Sequence, residues 1–293
     1  MYELVSIAGN THIIQSPTNV GLVRTGEGEA VLIDSGNDKE AGRKIRQVLD
    51  SQGLRLAAIF NTHSHADHIG GNRYLQGQTG CRIYAPGTEC CFTRHPILEP
   101  TALYGGCPPP ELRHKMLMAQ ESDASPLTPE ALPDGFEIVP LPGHSMDMVG
   151  FRTPDDVVFL GDCLASARTL DKYGVVFLHD VGAYMATLER VEGMDAVSFV
   201  PAHAEPTEDI VPLARLNIER TLEVADRIES ICSDAKGFDG ILKEVFDAYS
   251  LRMDAIQHAL VGGTVRSYLT WLKEKGRVDC HFEDNTMLWQ SLR

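Results

Sequence analysis

The chain has little that would carry it to a membrane or to nucleic acid. No apolar run approaches the ~20 residues that span a bilayer, which excludes an integral membrane role by helices. Positive charge is scarce: 26 Lys and Arg stand against 41 Asp and Glu, a formal charge of −15. Such a balance disfavours a phosphate-backbone partner unless the basic side chains gather on one face. The opening residues, Met1-Tyr2-Glu3-Leu4-Val5-Ser6, hold neither a basic stretch nor a long apolar one, so no secretory leader is expected. Regular cysteine spacing is also missing. The seven cysteines, an odd number, include the adjacent pair Cys90-Cys91; that fits reduced thiols and a cytoplasmic setting better than a disulfide framework. What is present is apolar content of 43% over 293 residues, enough for one large or two ordinary domains with a substantial core.

Against that background one stretch stands out. Residues 57–71 begin as a short apolar run, Ala57-Ala58-Ile59-Phe60, which reads as a buried strand. Then come His63, His65, Asp67 and His68 within six residues, closed by Gly70-Gly71. Imidazole and carboxylate suit zinc, iron and manganese. His63 and His65 are two apart and can point to one side of an extended segment; Asp67 and His68 follow where the chain turns and can aim at a second point. Two ions are easier to surround in this way than one. A solvated loop with a fortuitous cluster is the alternative, but three further apolar runs answer the motif. Residues 136–141 lead into Pro142-Gly143-His144, residues 157–160 into Gly161-Asp162-Cys163, and residues 196–200 into Pro201-Ala202-His203. Each is bounded by Gly or Pro like a buried strand. Loops that follow strand ends converge on one edge of a sheet.

His-x-His-x-Asp-His at 63–68, Pro-Gly-His at 142–144, Gly-Asp at 161–162 and the late His203 resemble the metallo-β-lactamase-fold hydrolase superfamily, in order and spacing over residues 18–206. The resemblance implies an α/β fold, a four-layer αββα sandwich with a dinuclear metal site at one edge. By position, His63, His65 and His144 would hold one divalent ion and Asp67, His68 and His203 a second, with Asp162 bridging. Zinc is the first expectation for the pair, with iron or manganese as alternatives. Asp34, in Asp34-Ser35-Gly36, matches the family's acidic residue that supports a ligand from behind; a plain turn aspartate is the other reading.

The rest of the chain divides into an expected catalytic domain, residues 1–210, and a C-terminal region, residues 211–293. Strands are expected at 12–14, 21–24 and 29–34, and a helix over 38–52 that Gly53 stops. Residues 86–135 interrupt the pattern. Nine of the 16 prolines fall there, with a helix expected over Glu111–Ala119; the segment reads as a lid or specificity loop, or as a flap over apolar surface. His95 and His114 within it are candidate substrate contacts or simple surface residues. Tyr173 and His179 are candidates too, against core or capping roles. Asp180 caps a helix. Cys163 is either a thiolate beside the metals or a small buried filler. Residues 211–232 are helical, shorter helices follow at about 239–249 and 254–260, and Gly262-Gly263 sets off another over Thr264–Lys275. A hairpin turning at Asp284-Asn285 completes an outline like a winged helix, which some hydrolases of this fold carry. Residues 236–293 hold eight basic and eight acidic side chains, so packing or homodimer formation is favoured there over DNA reading.

The functional expectation is hydrolysis by a metal-bridging hydroxide, with Asp67 orienting the nucleophile. The Thr-His-x-His-x-Asp-His wording resembles glyoxalase II-type thioesterases, which points to a small ester, thioester or lactone. A phosphodiesterase or nuclease of the same fold is the alternative and would need a basic track. A DNA-binding regulator using the C-terminal region is a second. True β-lactamases typically lack the bridging aspartate and are exported, and Asp162 counts against them.

Overall fold

Alternation along the strands decides how the layers stack. In β2 (Thr11–Gln15), β3 (Val20–Gly26) and β4 (Glu29–Ile33), neighbouring residues are buried on opposite faces. Ile13, Val23, Val31 and Ile33 enter one cluster, whereas Ile14, Leu22 and Leu32 enter another. A sheet apolar on both faces must be covered on both. The computed structural model, which describes residues 2–293, shows how this is done.

The first sheet has seven strands in chain order: β1 (Glu3–Ala8), β2, β3, β4, β5 (Arg55–Phe60), β6 (Arg82–Ala85) and β7 (Ala124–Pro126). The second runs β11 (Ser198–His203), β10 (Val157–Ala165), β9 (Val149–Arg152), β8 (Glu137–Pro140). They meet through Ile13, Val31, Ile33 and Phe60 on one side and Phe151, Val157, Phe159 and Val200 on the other. Outside the first sheet lie α1 (Lys39–Ser51) and α3 (Asn72–Thr79), the latter reached from β5 through the short α2 (Ala66–Ile69); Ile45, Leu49 and Leu75 cover the sheet's outer face. Asp38 caps α1 by accepting from the Glu40 and Ala41 amides. Outside the second sheet lie α7 (Val181–Glu192), capped by Asp180, and α8 (Val211–Ile231). The order is helix, sheet, sheet, helix: the four-layer αββα architecture expected.

Residues 86–135 supply α4 (Glu89–Arg94), α5 (Leu98–Tyr104) and β7, which adds to the first sheet beside β6. The helix expected over Glu111–Ala119 does not form. A 3₁₀ turn at Pro110–Leu112 and a single turn closed by the Leu117 and Met118 amides on the His114 carbonyl occur there. Leu112 and Leu117 are buried instead against Ala259. Between β10 and α7 lies α6 (Ala167–Tyr173).

After α8 come β12 (Lys236–Gly237), α9 (Phe238–Ala248), α10 (Ala255–Glu274), β13 (Val278–Glu283) and β14 (Thr286–Ser291), the strands in the order β12-β14-β13. The break expected at Gly262-Gly263 is absent, so the helices expected at 254–260 and over Thr264–Lys275 are one, α10, of 20 residues. Two glycines cost about 1 kcal/mol each inside a helix. The buried row Val261, Val265, Tyr268, Leu269 and Leu272 outweighs that. These residues share one apolar cluster with Leu160 of β10 and Leu188 of α7, so α8 to α10 pack on the second sheet's core.

A candidate dinuclear metal centre

Each ligand-bearing loop starts at a strand end on one edge of the sandwich. β5 delivers His63, His65, Asp67 and His68; the turn after β8 delivers His144; β10 carries Asp162; β11 ends at His203. Two local devices set the aim. At Gly161 the backbone takes φ +53° and the register with β11 shifts, a bulge that re-aims the next side chain, Asp162. Gly70 and Gly71 let the turn after His68 lie against the β4–α1 loop. A Cβ on Gly70 would sit 2.3 Å from the Asn37 carbonyl carbon, and one on Gly71 2.2 Å from the Ser35 oxygen.

The seven side chains come together in two groups. Ligand atoms of His63, His65 and His144 lie within 4.8 Å of one another, as do those of Asp67, His68, Asp162 and His203. Asp162 touches both: its oxygens are 3.1 Å from His68 Nε2, 3.4 Å from His203 Nε2 and 3.5 Å from His144 Nε2. Asp67 Oδ2 is 3.0 Å from His203 Nε2 and accepts from Thr18 Oγ1 at 3.2 Å.

The imidazoles are held from behind. His68 Nδ1 lies 2.8 Å from Asp34 Oδ2, His144 Nδ1 3.0 Å from the Phe177 carbonyl, and His203 Nδ1 3.1 Å from the Pro17 carbonyl. His63 Nδ1 meets Thr62 Oγ1 at 3.0 Å, and that hydroxyl donates to Asp34 at 2.8 Å. His65 is turned the other way: Nδ1 faces the group and Nε2 lies 3.6 Å from Glu99. A nitrogen hydrogen-bonded to a carbonyl carries the proton, which leaves the other as a lone-pair donor. Asp34 is buried at φ +63°, a left-handed conformation that costs a non-glycine residue of order 1–3 kcal/mol. It also accepts from the Thr62 amide at 2.8 Å. The supporting role expected of Asp34 is therefore visible in its contacts.

This donor set fits divalent cations. His65 Nδ1 stands 3.0 Å from His63 Nε2 and 2.9 Å from His144 Nε2, so three lone-pair-capable nitrogens converge. Burial, reinforced by neighbouring imidazoles, pushes His63 well below its usual value and His144 down to about 3; both are neutral, the ligand form. In the second group the carboxylates demand positive charge. Asp162 first holds His203 up to about 10. Burial pushes His68 down, yet Asp162, Asp67 and Asp34 together outweigh it and hold it high. Burial opposes ionisation of Asp67 and Asp162 as well, and the same imidazoles overcome it to keep both low. His68 Nε2 and Asp162 Oδ1 are buried and, although 3.1 Å apart, form no well-aligned hydrogen bond, a cost relieved when such atoms share a cation.

Two lobes of one cleft flank the centre and share His65, Glu99, Phe177 and Leu178. One, about 420 Å³, mixes apolar Phe92, Leu103 and Met146 with the polar His179, Arg266 and Ser267. The other, about 280 Å³, reaches Asp67, His144, Asp162 and His203. Tyr173 and His179, left open between substrate contact and structural roles, are lobe-lining and exposed. His95 and His114 are exposed and line neither lobe. Cys163 is buried in the apolar cluster, and burial raises its thiol; it is a filler.

Sequence reasoning missed two carboxylates. Glu89 of α4 is buried and accepts from the Ser64 amide at 3.0 Å and from the Ser64 hydroxyl, pinning the loop between His63 and His65. Glu99 of α5 faces His65. Both lie in the proline-rich insertion, where no periodic signal distinguishes an inward acid from a solvated one.

The family model described as Metallo-beta-lactamase superfamily matches residues 13–203, and the chain belongs to that superfamily. Among sequence relatives, the hydroxyacylglutathione hydrolase of Thiobacillus denitrificans is 28% identical over 197 residues, covering 67% of this chain and 62% of that protein. That of Methylobacillus flagellatus is 29% identical over 182 residues, covering 62% and 60%. The chain thus matches under two thirds of the length of those relatives. Two solved structures share the fold over 99% of this chain at 18% identity: a metallo-beta-lactamase family protein from Thermus thermophilus (TM-score 0.73, 98% of that chain) and a beta-lactamase domain protein from Burkholderia ambifaria (TM-score 0.71, 93%).

Proposed function

We propose that the chain is a dinuclear-metal-dependent hydrolase acting on a small ester, thioester or lactone. The observation that carries this reading is the pair of ligand groups joined by Asp162, with every imidazole's outer nitrogen facing a partner. His63, His65 and His144 would hold one cation and Asp67, His68 and His203 the other, with Asp162 between; zinc suits the set best, and iron and manganese accept it. Two divalent cations held there would supply Lewis acidity, lowering the pKa of water from about 15.7 to about 7. The chain's own residues do the rest. Asp67 presents Oδ2 to the smaller lobe beside Thr18, placed to accept a hydrogen bond from the attacking water and orient it. Asp34 and Glu89 hold the ligand loop in register, and α5 and α10 wall the cleft from solvent. The name of the relatives, hydroxyacylglutathione hydrolase, supports acyl transfer to water. A phosphodiester reading finds little support, because Arg266 is the one Lys or Arg lining the two lobes. We assign residues 1–210 to the catalytic domain and residues 211–293 to a winged-helix-like packing region.

The test combines elemental analysis of metal-reconstituted protein with a hydrolysis screen of thioesters, lactones and phosphodiesters. We expect close to two ions per chain, acyl turnover, and a loss of at least ~100-fold for Asp67→Ala. One ion at full occupancy, or near wild-type turnover by that variant, would overturn the assignment.

A further inference from the structure

The smaller lobe is the more apolar of the two. Beyond the metal-centre residues its wall is built from three distant parts of the chain. Met116 and Leu117 come from the insertion, Val175 and Val176 from the segment after α6, and Leu260 and Val261 from α10. Leu117 and Leu260 are joined by a small apolar cluster that includes Leu112 and Ala259. Val175 and Val261 belong to the main core, so this wall continues packed interior. No Lys or Arg lines the lobe, and the charged group added beyond the centre itself is Glu99. The larger lobe carries Arg266 with His179 and Ser267.

A cleft of this kind selects by what it fails to compensate. A carboxylate or phosphate on the acyl tail would lose water, find no Lys or Arg on the walls away from the metal centre, and face the acid of Glu99. A hydroxyl gains less than a methyl group, because the polar side chains outside the centre, Glu99, Thr169, Tyr173, Tyr184 and Gln257, stand among about twice as many apolar ones. A hydrocarbon tail loses nothing on leaving water and gains by burial, at about four-fold in affinity per methylene.

We propose that this lobe is an acyl subsite for an uncharged hydrocarbon chain, with the leaving group in the lobe of Arg266. The favoured substrates are then thioesters or esters of apolar acids rather than of hydroxy acids or diacids. The inference rests on the hydrolase reading for its chemistry. The water oxygen bonds to the acyl carbon, the carbon–sulfur bond breaks, and the thiol leaves with a proton. The carboxylic acid formed sheds its proton to solvent, and nothing is oxidised or reduced.

The experiment uses the metal-reconstituted full chain and N-acetylcysteamine thioesters of straight acyl chains from C2 to C10, with lactoyl and glutaryl thioesters alongside. The expected result is kcat/KM rising about four-fold per methylene between C4 and C8, with lactoyl and glutaryl well below butanoyl. Val176→Asp and Leu260→Asp, checked for folding by thermal melts, should flatten that rise. A flat series in the wild type, or a preference for lactoyl or glutaryl, overturns the subsite while leaving the hydrolase reading intact. Should no thioester turn over, the thioester reading fails and binding decides the subsite separately. Calorimetry with S-decyl-N-acetylcysteamine, which cannot be hydrolysed, should then show micromolar binding that both variants weaken; no binding to the wild type overturns it.

Discussion

Asp34 shows how one side chain can govern a centre it does not enter. Its carboxylate gathers the Thr62 amide, the Thr62 hydroxyl and His68 Nδ1, all at 2.8 Å, and through Thr62 it also orients His63. One ligand from each group therefore hangs on Asp34. Asp34→Ala should weaken metal binding about 10- to 100-fold, the usual effect of removing such an outer partner, with the fold retained. Competition against a chromophoric chelator measures it; unchanged affinity would show that packing alone holds His63 and His68. The variant does not relieve the strained backbone, since alanine tolerates φ +63° less well than aspartate. Asp34→Gly separates the two effects: it should lose metal affinity equally while removing the strain.

At the scale of elements, glycines divide into those that permit the site and those that merely occupy a helix. Gly70 and Gly71 cannot take a Cβ without meeting backbone at 2.3 and 2.2 Å. Gly77, in α3, has open space around it. Gly70→Ala should therefore destabilise the chain by about 1–3 kcal/mol, the range for overpacking a tight contact, whereas Gly77→Ala should stabilise it by about 0.5–1 kcal/mol. Urea unfolding of the two variants tests the contrast, and a Gly70→Ala protein as stable as wild type would refute the close approach. The sequence showed the helix–strand succession well where periodicity and punctuation agree, as in β2 to β5, α1, α7 and α8. It also carried the seven candidate ligands, since their spacing after strand ends is written locally. It failed where tertiary contacts decide. Propensity broke α10 at Gly262-Gly263, but burial of its flanking residues carries the helix through. The Glu111–Ala119 segment looked helical on composition, yet what it does is bury Leu112 and Leu117 on α10. The contributions of Glu89 and Glu99 to the centre were invisible for the same reason.

The whole molecule decides what α10 is for. In a winged-helix reader this helix would lie in the major groove and present several basic side chains to phosphates and bases. Here its buried row packs on the core of the second sheet, and Leu260, Val261, Arg266 and Ser267 line the cleft beside the metal centre. Little of the helix is left to face DNA. Most of the nearby cations are engaged as well. Arg277 is paired with Asp226 and Glu229, Lys273 with Asp279, Lys236 with Glu244, and Lys243 with Asp247, while Arg266 stacks on Phe238 at 3.7 Å. Affinity for duplex DNA comes largely from counterions released as phosphates are neutralised, and log K falls with log salt by ~0.9 per phosphate contacted. Paired surface cations have already given up part of that attraction, and the chain's net charge of −15 adds repulsion at longer range. The full chain should bind duplex DNA no better than the nonspecific range of ~10⁻⁴–10⁻⁶ M near physiological salt. Across a salt series its slope should correspond to one or two phosphates at most. Submicromolar binding that falls steeply with salt would mean that the basic side chains can be released to face DNA together, and it would return α10 to a reading role at the expense of the cleft wall described here.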